Sequence, residues 1–266
     1  MNNYSNEHKL YLKILKKKKL TVFLLRISII ALFIALWEIF SRIGLINSFL
    51  FSSPSRVLKT ICELIKNKTF FKHIGITIFE VIVSFSLSNI LGFIISIILL
   101  WNNTIYKIFD PYITILNSLP KVALGPLIII WVGASMNSII FMALLISVFV
   151  TIINIYNGFV SVNKNYIIML KSFGATQIEI FFKVILPSSF YNIISSEKVN
   201  ISMNLIGVVM GELLVSKSGI GYLIMYGSQI FNIDLVVTGV VILGIISYLL
   251  YMIIEKIEVK NKEKFS

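Results

Sequence analysis

Apolar residues along this chain come in six long runs, at about 20–45, 74–101, 111–131, 138–158, 190–215 and 235–254. At 1.5 Å per helical residue, each can cross roughly 30 Å of hydrocarbon. None shows the alternating segments of about ten residues that build membrane barrels. The pattern therefore predicts six transmembrane helices. Two polar interruptions stand out. In 47–72, Val57, Leu58, Ile61 and Leu64 recur at helical spacing, which predicts an amphipathic helix lying on the membrane surface, started at Ser53-Pro54-Ser55 with Ser53 or Ser55 as cap. The second, 162–187, is longer than the connection 102–110 and carries both charge and apolar residues.

Composition agrees with the runs. Hydrophobic residues make up 57% and charged residues 14% of 266, and the mean hydropathy is +0.92. Soluble domains carry roughly a quarter charged residues, so the chain is read as an all-α membrane protein. Cys62 alone excludes an internal disulfide and a cysteine-built metal site, and His8 and His73 are too far apart for a familiar zinc spacing. The net charge of +12 points to anionic lipid headgroups as partner, with no nucleic acid. No phosphate-binding Gly-x-x-x-x-Gly-Lys-Ser/Thr loop is present. The chain is therefore not expected to bind ATP in the usual way by itself, and no cofactor is expected on it. Lys16 to Lys19 precede an apolar run too long for a signal peptide, which predicts an uncleaved first helix.

Lysine and arginine bias sets the orientation. With the N-terminus inside, the cytoplasmic side holds fourteen: Lys9, Lys13, Lys16 to Lys19, Lys107, Lys164, Lys171, Lys183, Lys256, Lys260, Lys262 and Lys264. The outer side holds six: Arg56, Lys59, Lys66, Lys68, Lys72 and Lys217. Both termini are expected in the cytoplasm, and 162–187 with them. In that loop, Ile167, Ile168, Met169 and Leu170, then Ile178, Phe181 and Phe182, give two apolar helical pieces around Gly174, a candidate left-handed cap. Pro187 is expected to stop or redirect the chain before the fifth span. By physics alone such a loop either docks on a protein or rests on lipid.

The same loop resembles the signature of ABC importer permeases: Glu-Ala-Ala, three residues, Gly, nine residues, Ile, one residue, Leu-Pro. The match falls on Gly174, on Val184 in the Ile position and on Leu186-Pro187, while Ile168-Met169-Leu170 replace the first triplet. The resemblance extends along the chain. Ser53-Pro54-Ser55-Arg56-Val57-Leu58, Leu119-Pro120-Lys121-Val122-Ala123-Leu124-Gly125-Pro126-Leu127 with Trp131-Val132-Gly133, Gly211-Glu212-Leu213-Leu214, and Ser218-Gly219-Ile220-Gly221-Tyr222-Leu223-Ile224 are similar to the nitrate, sulfonate and taurine permease subfamily.

It implies a type I ABC importer permease fold in a bacterial inner (cytoplasmic) membrane. Cytoplasmic 1–19 precedes a first helix at 20–45, an extracytoplasmic segment at 46–73, a five-helix core at 74–255 and a tail at 256–266. It also implies ATPase subunits docked on Ile168, Met169, Leu170, Lys171, Gly174, Ala175, Val184, Leu186 and Pro187. An extracytoplasmic binding protein would deliver a small, anionic solute, and a second permease copy, as a homodimer, would complete the path. The departure at 168–170 predicts a mainly apolar grip.

Within the spans, Lys121 between Pro120 and Pro126 is read as facing the translocation path, or as snorkelling to the inner interface if the helix starts later. Glu80 and Glu212, near the outer ends of the second and fifth spans, could carry protons, pair with Arg or Lys, or bind headgroup-level water, and Glu212 is counted with Pro120, Lys121 and Pro126 as a candidate for the translocation path. Glu38 with Arg42 at i+4 reads as a local ion pair. Gly207-x-x-x-Gly211 permits close helix packing within or between subunits. Ser84 and Ser88 share one helix face, expected to bond neighbouring helices, and Trp101 and Trp131 read as interfacial anchors. The competing classes are a self-contained proton-coupled carrier and a membrane enzyme. The latter lacks a paired-histidine motif, clustered loop carboxylates and a nucleophile with a base.

Overall fold

The computed structural model describes residues 6–265, with side chains for 10–260. His8, Lys9, Lys262 and Lys264 have side chains outside that set, and the expected cytoplasmic ends at 1–5 and 266 lie outside the described residues. Every regular element among the described residues is helical. Five helices are long and apolar enough to cross a membrane, or six if one sharply bent pair counts as a span.

The first helix, α1 (Asn6–Arg42), starts well before the apolar run and ends at Arg42, followed by Gly44 at φ +76°. Its apolar side chains are exposed along its length, and it meets the body near its C-terminal end. There Glu38 holds Arg42 at 2.7 Å, the local pair expected, and also accepts the Ser55 amide. After α2 (Ser48–Phe51) comes α3 (Pro54–Lys66), capped by Ser53 as expected. One side of α3 packs on the chain's own helices. Val57 is buried while Leu58 is exposed, and Leu64 joins a cluster with Ile220, Leu223 and Leu235. An ion pair of 2.7 Å from Arg56 to Asp234 and a 2.7 Å bond from Ser52 to the same carboxylate fix this segment to the last helix.

The core is three helices. α4 (Phe70–Trp101), α7 (Met136–Val160) and α10 (Leu186–Val215) pack with α7 in the middle, around Val81, Ile139, Ala143, Ile201, Leu205 and Val208. Gly207 and Gly211 let α10 approach α7 of the same chain. α11 (Ile220–Gln229) and α12 (Ile233–Phe265) pack on each other and on α10.

The third span is not one helix. α5 (Asn103–Ser118), capped by Asn102, and α6 (Gly125–Val132) meet at 83°, with a 3-10 turn at Lys121–Leu124 between them. Proline explains the break: Leu119 before Pro120 is forced extended (ψ 142°) and Pro120 offers no amide. Pro126 sits within the first two positions of α6, where no amide is required.

The 162–187 loop forms α8 (Lys164–Ser172) and α9 (Gln177–Ile180), then a π turn at Phe181–Ile185 that runs into α10. Pro187 therefore does not stop the chain. The π turn widens the helix just before it, with the Leu186 amide bonded to Phe181 O, and the proline falls in the first turn of α10.

Candidate functional site

Three places in this frame concentrate chemistry. The first is the 162–187 loop. Asn163 caps α8, and Gly174 at φ +77° ends it, with the Ala175 amide donating to Leu170 O and the Gly174 amide to Lys171 O. Thr176 and Glu179 form a reciprocal capping box on α9. The loop thus has a fixed shape with two sides. Leu170, Ala175, Val184 and Leu186 pack against a cluster of Ile155, Phe159, Val162, Ile180, Phe181 and Ile185. Phe181, expected on the surface, is buried there. Ile168, Met169, Phe173, Ile178 and Phe182 point away, and Phe173 is 81% exposed. Lys171 and Gly174 are exposed and Pro187 is half-buried. Phe173 escaped the sequence reading because it lies between the two helical pieces rather than on either.

The second place is the α5–α6 break. Lys121 is half-buried, and its Nζ donates to Asn117 Oδ1 and Ile146 O, both at 3.1 Å, and lies 5.3 Å from the Phe149 ring centroid. Ile146 is near the middle of α7, so the ammonium sits at the level of that helix's centre rather than at either end.

The third is a polar seam between helices. His73, Thr77, Glu80, Ser84 and Ser88 lie three or four residues apart on α4 and are all buried. Glu212 of α10 accepts from Thr77 Oγ1 at 2.6 Å and from the Gly221 amide at 2.5 Å. The Ile220 amide bonds Thr77 Oγ1 at 2.9 Å, and the Gly219 amide bonds His73 Nδ1 at 3.0 Å. Gly219 has φ +113°, and a Cβ there would lie 2.2 Å from Glu212 Oε1, so only glycine fits. The side chains of Glu80 and Glu212 are both buried at this seam, each residue 1% exposed. Deeper in, the Asn204 amide of α10 bridges Ser84 (2.8 Å) and Ser147 of α7 (3.3 Å). Ser88 bonds its own helix instead, at Phe85 O.

Comparison with known proteins places these features in context. A family model described as binding-protein-dependent transport system inner membrane component matches residues 88–258. The formylaminopyrimidine transport permease protein ThiX of Halalkalibacterium halodurans is 27% identical over 90% of this chain and 92% of its own length. The putative aliphatic sulfonates transport permease protein SsuC of Bacillus subtilis is 28% identical over 82% and 79%. The taurine transport system permease protein TauC of Escherichia coli is 22% identical over 85% and 84%. Among solved structures, the inward-facing MetNI methionine ABC transporter matches with a TM-score of 0.61 at 18% identity. That match covers 72% of this chain and 97% of the other, a likeness of fold.

Proposed function

The chain belongs to the family of binding-protein-dependent transport system inner membrane components, and from that premise we propose how its parts work. It is the permease subunit of an ABC importer, with an all-helical fold built to span the membrane. We read the exposed apolar face of Ile168, Met169, Phe173, Ile178 and Phe182 as the seat of a separate ATPase subunit, which binds ATP and magnesium. One observation carries this reading: the loop shows an apolar front while its back is locked into the body. Apolar side chains on a water-facing loop are stabilised by a partner. Because the loop continues through the π turn into α10, a push on it reaches α10 and α7 together. Alternating access follows from ATPase closure.

In this reading both termini lie in the cytoplasm, an extracytoplasmic binding protein delivers the solute, and a second copy of the chain completes the path. The solute is small and anionic, in keeping with relatives named for aliphatic sulfonates and taurine. Pro120, Lys121 and Pro126 belong to the path: irregular backbone at membrane depth is tolerated where it lines a cavity, and a lysine there favours an anion. Glu212 works from the outer end, holding the loop before α11.

The test is uptake into proteoliposomes holding the chain with its ATPase and binding protein. Uptake should require ATP and survive a proton uncoupler. The opposite pattern would make the chain a proton-coupled carrier, and turnover of a substrate by the purified subunit alone would make it an enzyme. Within the same assay Lys121→Ala should lower uptake of the anion about tenfold, equivalent to about 1.4 kcal/mol. Lys121→Arg should keep most of it. Unchanged uptake and preference in Lys121→Ala would remove Lys121 from the path.

A further inference from the structure

α12 is held by charge near both ends. Near its start, Asp234 receives Arg56 and Ser52, each at 2.7 Å, which ties it to the α2–α3 segment. Far along it, Glu258 pairs with Lys198 of α10, whose ammonium also lies 5.6 Å from the Tyr251 ring centroid. At 1.5 Å per residue, Asp234 and Glu258 stand about 36 Å apart along the helix. That is enough to cross the roughly 30 Å of hydrocarbon in a bilayer.

The Lys198–Glu258 pair is the unusual one, because its side chains are only 21% and 9% exposed. Enclosed ions give up hydration, and a well-packed apolar pair of similar size is often as stable or more so. Stability alone does not account for it, but register does. Elsewhere α12 meets the core through Leu243, Leu250 and Ile254, and apolar contacts are non-directional, so they do not fix its level. A slip of one turn, about 5.4 Å, parts Lys198 from Glu258 and leaves two enclosed charges alone, which is strongly destabilising. The pair therefore fixes α12 to α10 at one level. α10 in turn continues from the 162–187 loop through the π turn. A displacement of that loop reaches Lys198, then Glu258, then Asp234 and the α2–α3 segment. In the permease reading the loop meets the ATPase and the α2–α3 segment lies on the opposite, extracytoplasmic side.

We propose that α12 is a rod coupling the ATPase-docking loop to the α2–α3 segment, with Lys198 and Glu258 as positioning residues that pin it to α10 and Asp234 pinning it to Arg56 and Ser52. The proposal rests on the permease reading and adds the element that carries movement from one face to the other.

Two double substitutions test it, each replacing an ion pair by apolar side chains of similar size: Lys198→Met with Glu258→Leu, and Arg56→Met with Asp234→Leu. The readout is ATP hydrolysed per solute taken up, in proteoliposomes holding the chain with its ATPase and binding protein. Each variant should raise that ratio about fivefold, the low end of ordinary coupling between sites. The thermal midpoint of the Lys198→Met, Glu258→Leu subunit should stay with the wild type, which separates positioning from stability. All four substitutions together should again give about fivefold, because a rod freed at one end carries nothing. Independent effects at sites this far apart would instead multiply to about 25-fold. A wild-type ratio in either variant, or multiplication in the combined one, overturns the rod. So does a Lys198→Met, Glu258→Leu subunit that no longer co-elutes with the ATPase, since the pair would then hold the fold rather than its register. ATP-driven uptake with unchanged ratios would sink the rod alone, whereas wild-type uptake that needs no ATP would sink the permease reading beneath it.

Discussion

Gly207→Val should lower the thermal midpoint of the detergent-solubilised subunit by about 10 °C and cut its folded yield. A Cβ at Gly207 would sit 2.5 Å from Ala143 Cα and 3.1 Å from Ala143 Cβ, so the obstacle is backbone and cannot rotate away. One turn on, Gly211 comes as close to Ile139, at 2.9 Å from its Cα, so α10 cannot pivot about a free neighbour. Water gives little help in holding these helices together, because lipid tails are as apolar as the helix faces. The pairing depends on van der Waals contact and interhelical hydrogen bonds. Forcing α10 outward loses both, since the Asn204 bridge to Ser84 and Ser147 lies one turn from Gly207. Overpacking of this kind costs about 3 kcal/mol, which at roughly 2–4 °C per kcal/mol gives the stated shift. Gly244→Ala is the control, because a Cβ there meets nothing within 4 Å. A Gly207→Val subunit that melts with the wild type would show that this seam does not hold the bundle.

The same seam shows what a single chain of letters reveals. Apolar run length was enough to mark five helices long and apolar enough to cross a membrane, and i, i+4 spacing was enough for Glu38 and Arg42, because both facts are local. The α5–α6 break was written locally too, as Leu119-Pro120. A hydropathy window averages across it and reports one span, whereas the pre-proline restriction bends the chain by 83°. The spacing of His73, Thr77, Glu80, Ser84 and Ser88 was likewise a readable signal, a polar stripe on an apolar helix that only a protein interior would satisfy. What was not legible was the other half of each contact. Thr77 and Glu212 are 135 residues apart, and Arg56 and Asp234 are 178 apart. Nothing in either neighbourhood encodes the partner. That is why Glu212 read without its partner, and why the hold of the α3 segment on α12 was not readable. In the 162–187 loop, sequence named the segment but not its sides. Leu170, Val184 and Leu186 turned out to be anchors, and the outward face included Phe173.

That division into sides makes the second large prediction specific. Ile168→Asp with Phe173→Asp should weaken association with the ATPase at least about 100-fold while leaving the subunit folded. Both side chains are exposed, at 60% and 81%, and neither belongs to the buried cluster beneath the loop. Charging them should therefore cost little stability, as surface changes usually do. At a docked interface the balance reverses, because each carboxylate must be dehydrated where an apolar side chain had been. Two central positions at about 2 kcal/mol each exceed a 100-fold loss. Affinity measured in nanodiscs against rising ionic strength gives a second, independent reading. A grip made by Ile168, Met169, Phe173, Ile178 and Phe182 has few exposed charges to screen, so raising salt from about 0.1 M to about 1 M, which shortens the screening length from roughly 10 Å to 3 Å, should not loosen it. A complex that survives the double substitution, or that dissociates in salt, would move the docking contact to Lys164, Lys171 and Lys183 and away from the apolar face.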